Sequence, residues 1–185
     1  MALITAKELG REALAHADAL YNHARRLTGN PTDADALVQE TYTRALTRTH
    51  TFVGGNLKVW LFTILRNLFV DLQRREGHQP ALDELDLMNG AVDAGVIHDD
   101  RELGDLRCLL AAEIEIALGT LSHEARAMIL LDIEGFTERD LAEVIGCPLG
   151  TVKPRLSRAR VQLRQRLKDF ASPTPRRRNT RPGDK

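Results

Sequence analysis

Apolar residues recur at three- and four-residue spacing over most of this chain and almost never alternate, so the pattern predicts an all-α protein. A first helix is expected from about Lys7 to Leu27, ending at the turn Gly29-Asn30-Pro31. Asp33 is the expected cap of a second helix, with Ala34, Leu37, Val38, Thr41 and Ala45 inward and Asp35, Gln39, Glu40 and Arg44 outward. Thr47–Asn56 reads as a polar loop around Phe52, broken by Gly54-Gly55. The next helix, about Leu57–Glu76, carries an expected core stripe of Leu57, Trp60, Leu61, Ile64, Leu68 and Leu72. Its opposite side is also apolar, with Val59, Phe62, Phe69 and Val70 set between Lys58, Arg66 and Gln73. A helix apolar on both sides is either fully buried or meets a partner on its second face.

Gly77–Gly104 has no periodic pattern and reads as a flexible acidic linker, with a short helical turn around Leu82–Met88. Helices resume as Leu106–Leu118 and Ser122–Glu134, the second capped by Ser122. In Thr137–Leu167 two short helices follow each other across a tight turn. Thr137 caps the first with Asp140 three residues on, and Leu141, Ala142 and Ile145 form its apolar stripe. Gly146 ends that helix, and Gly150 gives a second flexible point before Thr151. Val152, Leu156, Ala159, Leu163 and Leu167 then recur at helical spacing, while Lys153, Arg155, Arg158, Arg160, Arg164 and Arg166 occupy the other faces. A capped helix, a glycine turn and a basic amphipathic helix make a helix-turn-helix, which places its second helix in the DNA major groove. The plain alternative is a solvated basic helix closing an ordinary bundle. Pro154 disfavours helical geometry at Lys153 and predicts a recognition helix that starts a turn late.

Charge sharpens this picture. The chain of 185 residues has 26 Lys and Arg against 26 Asp and Glu, a formal net charge of zero. The two signs are segregated. Residues 151–185 concentrate Lys and Arg, with only Asp169 and Asp184 opposing them, while in 77–105 Arg101 stands alone among acids. A cationic end binds phosphates whatever the whole chain sums to. Of the chain's one Trp, two Tyr and five Phe, the residues Phe52, Trp60, Phe62 and Phe69 fall in one short region. Interleaved with Lys, Arg and Asn, they suit stacking on unpaired bases; packing of the core is the equal alternative for Trp60 and Phe62. Cys108 and Cys147 lack metal-ligand spacing, and His16 and His23 do not make a metal site. No metal or cofactor is expected. No nucleophile–base pair or phosphate loop points to an enzyme, and no apolar run suggests a membrane span or secretory signal. The expected organisation is two small helical domains, 1–76 and 105–171, joined by the linker 77–104 and followed by a disordered basic tail, 172–185.

Three ordered motifs then resemble one family. DADALVQETYTRAL (Asp33–Leu46) is similar to region 2.2 of bacterial RNA polymerase sigma factors of the extracytoplasmic-function type. NLKVWLFTILRNLFVDLQRR (Asn56–Arg75) is similar to regions 2.3 and 2.4, and Leu121–Leu163 to region 4. The wording NLKVWLFTILRN with GCPLGTVK resembles the general-stress-response subgroup, held inactive by a small anti-sigma factor.

The resemblance implies a cytoplasmic protein that binds core RNA polymerase and directs initiation at promoter DNA. It implies that Asp35, Gln39, Glu40 and Arg44 dock on core polymerase. Phe52, Asn56, Lys58, Trp60, Arg66 and Asn67 would recognise and melt the −10 element. Thr151, Lys153, Arg155, Arg158 and Arg160 would contact the −35 element. The acidic linker would thread polymerase channels, a solvated tether being the alternative. The doubly apolar helix is the expected surface for the anti-sigma factor. Two other readings compete: a sigma-like decoy that binds an anti-sigma factor without touching promoters, and a free-standing helix-turn-helix repressor.

Overall fold

The computed structural model describes residues 6–75 and 112–171, which form helices and short turns. The first half holds α1 (Ala6–Leu14), α2 (Ala17–Thr28), α3 (Pro31–Thr47) and α4 (Leu57–Arg75), with a 3-10 turn at Thr49–Thr51. The second half holds α5 (112–119), α6 (His123–Ile133), α7 (Glu138–Ile145) and α8 (Leu149–Ala171). The linker, its helical turn, the boundaries near 76 and 104, and the basic tail lie outside the described residues.

The expected single helix Lys7–Leu27 is two helices. The backbone N–H groups of Ala15 and His16 turn back to the carbonyls of Glu12 and Ala13. The Tyr42 hydroxyl, reaching across from α3, donates to the Ala13 carbonyl at 3.0 Å and fixes the break. Leu9, Ala13, Leu20, Ala24 and Leu27 stay in phase and buried across it, so periodicity alone reads it as continuous. The expected cap of the next helix is also corrected. Asn30, not Asp33, is the N-cap: its side chain accepts from the Thr32 N–H at 2.8 Å, and Pro31 begins the helix. Asp33 sits in the first turn, where its charge still favours the helix N-terminus.

Helix α4 is covered on both sides, and the second cover comes from the same chain. α3 and α2 pack on one side, while α7 packs on the other and α6 rests against α2. The core stripe is therefore rotated from the expected one. Val59, Leu61, Phe62, Leu65, Leu68 and Phe69 are buried, whereas Leu57, Trp60 and Ile64 are only partly so. Phe62, wholly buried, lies 4.9 Å from the ring of Phe136 between α6 and α7, and Phe69 meets His123 edge-on at 5.4 Å. The apolar face expected to await an anti-sigma factor is occupied by the second half of the chain.

The helix-turn-helix forms as its sequence dictates. Ser122 caps α6 by accepting from Ala125 N–H at 3.3 Å. Thr137 and Asp140 close a full capping box on α7, and Gly146 ends α7 in the left-handed conformation at φ 72°. Val152, Leu156 and Ala159 seat α8 against α6 and α7.

Two expectations about α8 fail. The helix starts at Leu149, earlier than Thr151 rather than a turn later, and Gly150 lies inside its first turn instead of hinging it. The Thr151 hydroxyl and N–H both bond to the Pro148 carbonyl, at 2.7 and 2.9 Å, and this anchors the start. Pro154 removes one donor further along, the one that would serve the Gly150 carbonyl. Gly150 is exposed, so water can take that place.

Candidate nucleic-acid interface

On α8 the basic residues divide into two kinds. Arg155 and Arg160 flank the buried stripe on its two sides, and both are held by acids of α6. Arg155 Nη1 donates to Glu124 Oε1 at 2.5 Å, and Arg160 Nη2 donates to Asp132 Oδ2 at 2.6 Å. Lys153 and Arg158 are exposed and form no ion pair with an acid among the described residues. At 100° per residue, Arg158 falls on the side of the helix away from the buried stripe, with Pro154 and Val161 beside it. Thr151, expected to touch DNA, uses its hydroxyl to anchor the helix start.

Around the N-terminus of α4 the structure gathers Phe52, Asn56 and Trp60. The loop closes through Gly54 and Gly55 at φ 93° and 103°, which an L side chain resists. Asn56 caps α4: its side-chain oxygen accepts from the N–H groups of Lys58 and Val59, at 3.0 and 3.4 Å. Its amide oxygen is thus structural. Phe52 and Trp60 stack with centroids 5.2 Å apart, both half-buried, which leaves ring surface outward. Trp60 and Asn67, seven residues apart, lie on one helical stripe. Arg66 donates to the Asn67 side chain at 3.2 Å.

Lys58 does not join this group. Its ammonium turns into the seam between the halves, where it donates to the Glu134 carbonyl at 3.1 Å and lies 4.7 Å over the Phe136 ring. On α3, Asp35, Gln39 and Glu40 are exposed, and Glu40 holds Arg44 by an i,i+4 ion pair at 2.9 Å.

Sequence reasoning missed Glu124, Asp132, Arg126 and Glu134. Arg126 left a signal, as the one cation inside the apolar run of α6. The acids left none, because their partners lie across the fold.

Comparison with known proteins completes the picture. The profile of Sigma-70 region 2 matches residues 13–79, and that of Sigma-70, region 4 matches residues 111–163. The ECF RNA polymerase sigma factor EcfG of Rhodopseudomonas palustris is 38% identical over 154 residues, covering 82% of this chain and 81% of that protein. The ECF RNA polymerase sigma factor SigE of Mycolicibacterium smegmatis is 38% identical over 165 residues, covering 86% of this chain. The aligned part spans only 61% of SigE's own length. Among solved structures, the sigma factor RpoE in complex with the anti-sigma factor NepR from Bartonella quintana matches with a TM-score of 0.65 at 32% identity. It covers 88% of this chain and 98% of that one. CnrH, in complex with the cytosolic domain of CnrY, matches with a TM-score of 0.63 at 27% identity, covering 90% of each chain. No helix among the described residues is long and apolar enough to cross a membrane.

Proposed function

The chain belongs to the ECF sigma factors of the sigma-70 family, and we propose that it is the promoter-specificity subunit of RNA polymerase, gripping a −10 element with its first half and a −35 element with its second. The observation that carries this reading is the capped α7, its glycine turn and α8, which together present Lys153 and Arg158 outward. The exposed face of α3 (Asp35, Gln39, Glu40 and Arg44) docks on core polymerase. Phe52 and Trp60 offer ring faces to unstacked −10 bases, with Asn67 and Arg66 further along the same helix. The protein carries out no reaction of its own and works in the cytoplasm alongside the polymerase. An anti-sigma factor holds it inactive, a reading supported by its likeness to a sigma factor solved with one. Membership of the general-stress-response subgroup belongs to this proposal too and rests on the motif wording.

The test adds the purified chain to core polymerase and sequences transcripts from a promoter library, with no anti-sigma factor present. Initiation at a recurring pair of elements is the expected result; its absence sinks the reading. Binding of the chain to its inhibitor with no initiation would favour the decoy instead.

The division of the α8 cations gives a finer prediction. Arg158→Ala should weaken −35 binding roughly tenfold and lower the salt slope by about 1. Arg155→Ala should leave the salt slope nearly unchanged and cost about 1 kcal/mol of stability, since it frees Glu124 rather than a phosphate. Titration of a −35 duplex at several salt concentrations, beside urea melts, separates the two. Equal salt slopes for both variants would return Arg155 to the DNA face.

A further inference from the structure

Proline is the residue a helix interior accepts least, because its ring crowds the preceding turn and it brings no N–H. Pro154 is nevertheless the sixth residue of α8, and the helix runs through it to Ala171. Packing does not call for it, since Pro154 is exposed and lies outside the buried core. The helix start does not call for it either, being fixed earlier by the contact of Thr151 with Pro148. A local rule broken with no structural return points to a role outside the fold.

The direction of the ring narrows that role. At about 100° per residue, Pro154 stands about 170° from the mean direction of Val152, Leu156 and Ala159, the buried residues that seat α8. It is the crest of the outer face. Gly150, one turn before it, and Val161, two turns after it, both fall within about 40° of the same line. A Cβ added at Gly150 would meet nothing within 4 Å, and Val161 is 45% exposed, so the approach along this ridge is open. Lys153 and Arg158 are exposed on its two sides. Cations there can hold the two phosphate walls of a groove while the uncharged crest between them meets the bases.

We propose that Pro154 is a specificity-determining residue, which reads the 5-methyl group of a thymine in the major groove of the −35 element. Residues near the N-terminus of a recognition helix are the ones that meet base edges. The Pro154 ring carries neither donor nor acceptor, so it cannot read the hydrogen-bonding pattern of a base. The one apolar group that a base pair presents in the major groove is the thymine methyl. The ring is also fixed, so the contact orders no side chain. This assignment rests on the promoter reading and names one contact within it.

Deoxyuridine tests it, because that nucleotide pairs as thymidine does and lacks only the methyl. The full chain is bound to core polymerase, and a promoter from the transcript library is prepared with each −35 thymine, on either strand, replaced singly. Competition binding should show a position at which the parent chain loses roughly fourfold in affinity, the worth of one buried methyl. Pro154→Ser restores the backbone N–H and should fold at least as well. In that variant the same replacement should have almost no effect, and the salt slope should match the parent's, since no charge changes. Two results overturn the proposal. One is a parent chain that no deoxyuridine weakens; the other is a weakening that Pro154→Ser retains, which would confine the proline to helix geometry. Either result beside intact promoter-specific initiation leaves the promoter reading standing. Loss of initiation itself sinks that reading, and this assignment with it.

Discussion

Phe62→Ala should lower the stability of the chain by about 3–5 kcal/mol, measured by urea unfolding followed by circular dichroism. The side chain is 0% exposed and sits where three elements converge. It lies 5.1 Å from the His23 ring of α2, 4.9 Å from the Phe136 ring and 5.8 Å from the Lys58 ammonium. Truncation loses the transfer free energy of the ring and leaves a cavity that neither half can fill alone. Against a typical total of about 5–15 kcal/mol, such a loss approaches unfolding. Because the ring is shared, the seam should loosen along with the core. Trp60→Ala provides the contrast. That residue is half-buried and, among the aromatic rings of the described residues, stacks on Phe52 alone, so its stability loss should be well below that of Phe62→Ala. Its effect should instead fall on opening of the −10 region in transcription assays. A Phe62→Ala loss below about 1 kcal/mol would mean that α4 is not shared between the halves.

Local signals in the sequence were reliable where the chemistry is local. The Thr137–Asp140 capping box, the left-handed Gly146, the Ser122 cap and the stripe of Val152, Leu156 and Ala159 all follow from residues a turn or two apart. The sequence also showed that α4 needs a cover on its second side, though not what supplies it. That answer depends on residues such as Phe136, more than sixty positions away, and on no periodic pattern. The break at Ala15–His16 was hidden for a similar reason, since the Tyr42 hydroxyl that fixes it comes from α3. At the candidate site, residue type marked which side chains are cationic or aromatic. Distance decided what each is available to do. Lys58, Arg155 and Arg160 are the same kinds of residue as Lys153 and Arg158, yet Glu134, Glu124 and Asp132 hold the first three within the fold. Pro154 misled by rule: its cost is one hydrogen bond at an exposed turn, and the Pro148–Thr151 contact still starts the helix ahead of it.

Acid should destabilise this chain through His23, and the effect should vanish in His23→Leu. The imidazole is 2% exposed against the edge of Phe62, and its Nδ1 has no hydrogen-bond partner among the described residues. Burial, followed by the nearby charges of Arg26 and Lys58, pushes its pKa down from 6.5 to about 3. The folded state therefore keeps the ring neutral, while the unfolded chain takes up a proton below about pH 6.5. Stability from this group is fully present above that pH and falls as pH drops towards 3, at up to about 1.4 kcal/mol per pH unit. Between pH 7 and pH 4.5 the loss should reach about 2–3 kcal/mol, read as a falling urea midpoint. Carboxylates that titrate in the same range do so in the variant as well, so the difference between the two pH profiles isolates His23. Parallel profiles would show that the ring finds a partner or solvent in solution. The location gives the titration a structural consequence. Both cations that face His23 belong to the seam, with Lys58 on Glu134 and Arg26 3.8 Å from Glu115. A third positive charge beside them cannot be accommodated without movement of α2 or α4, so acid should loosen the halves before either one melts.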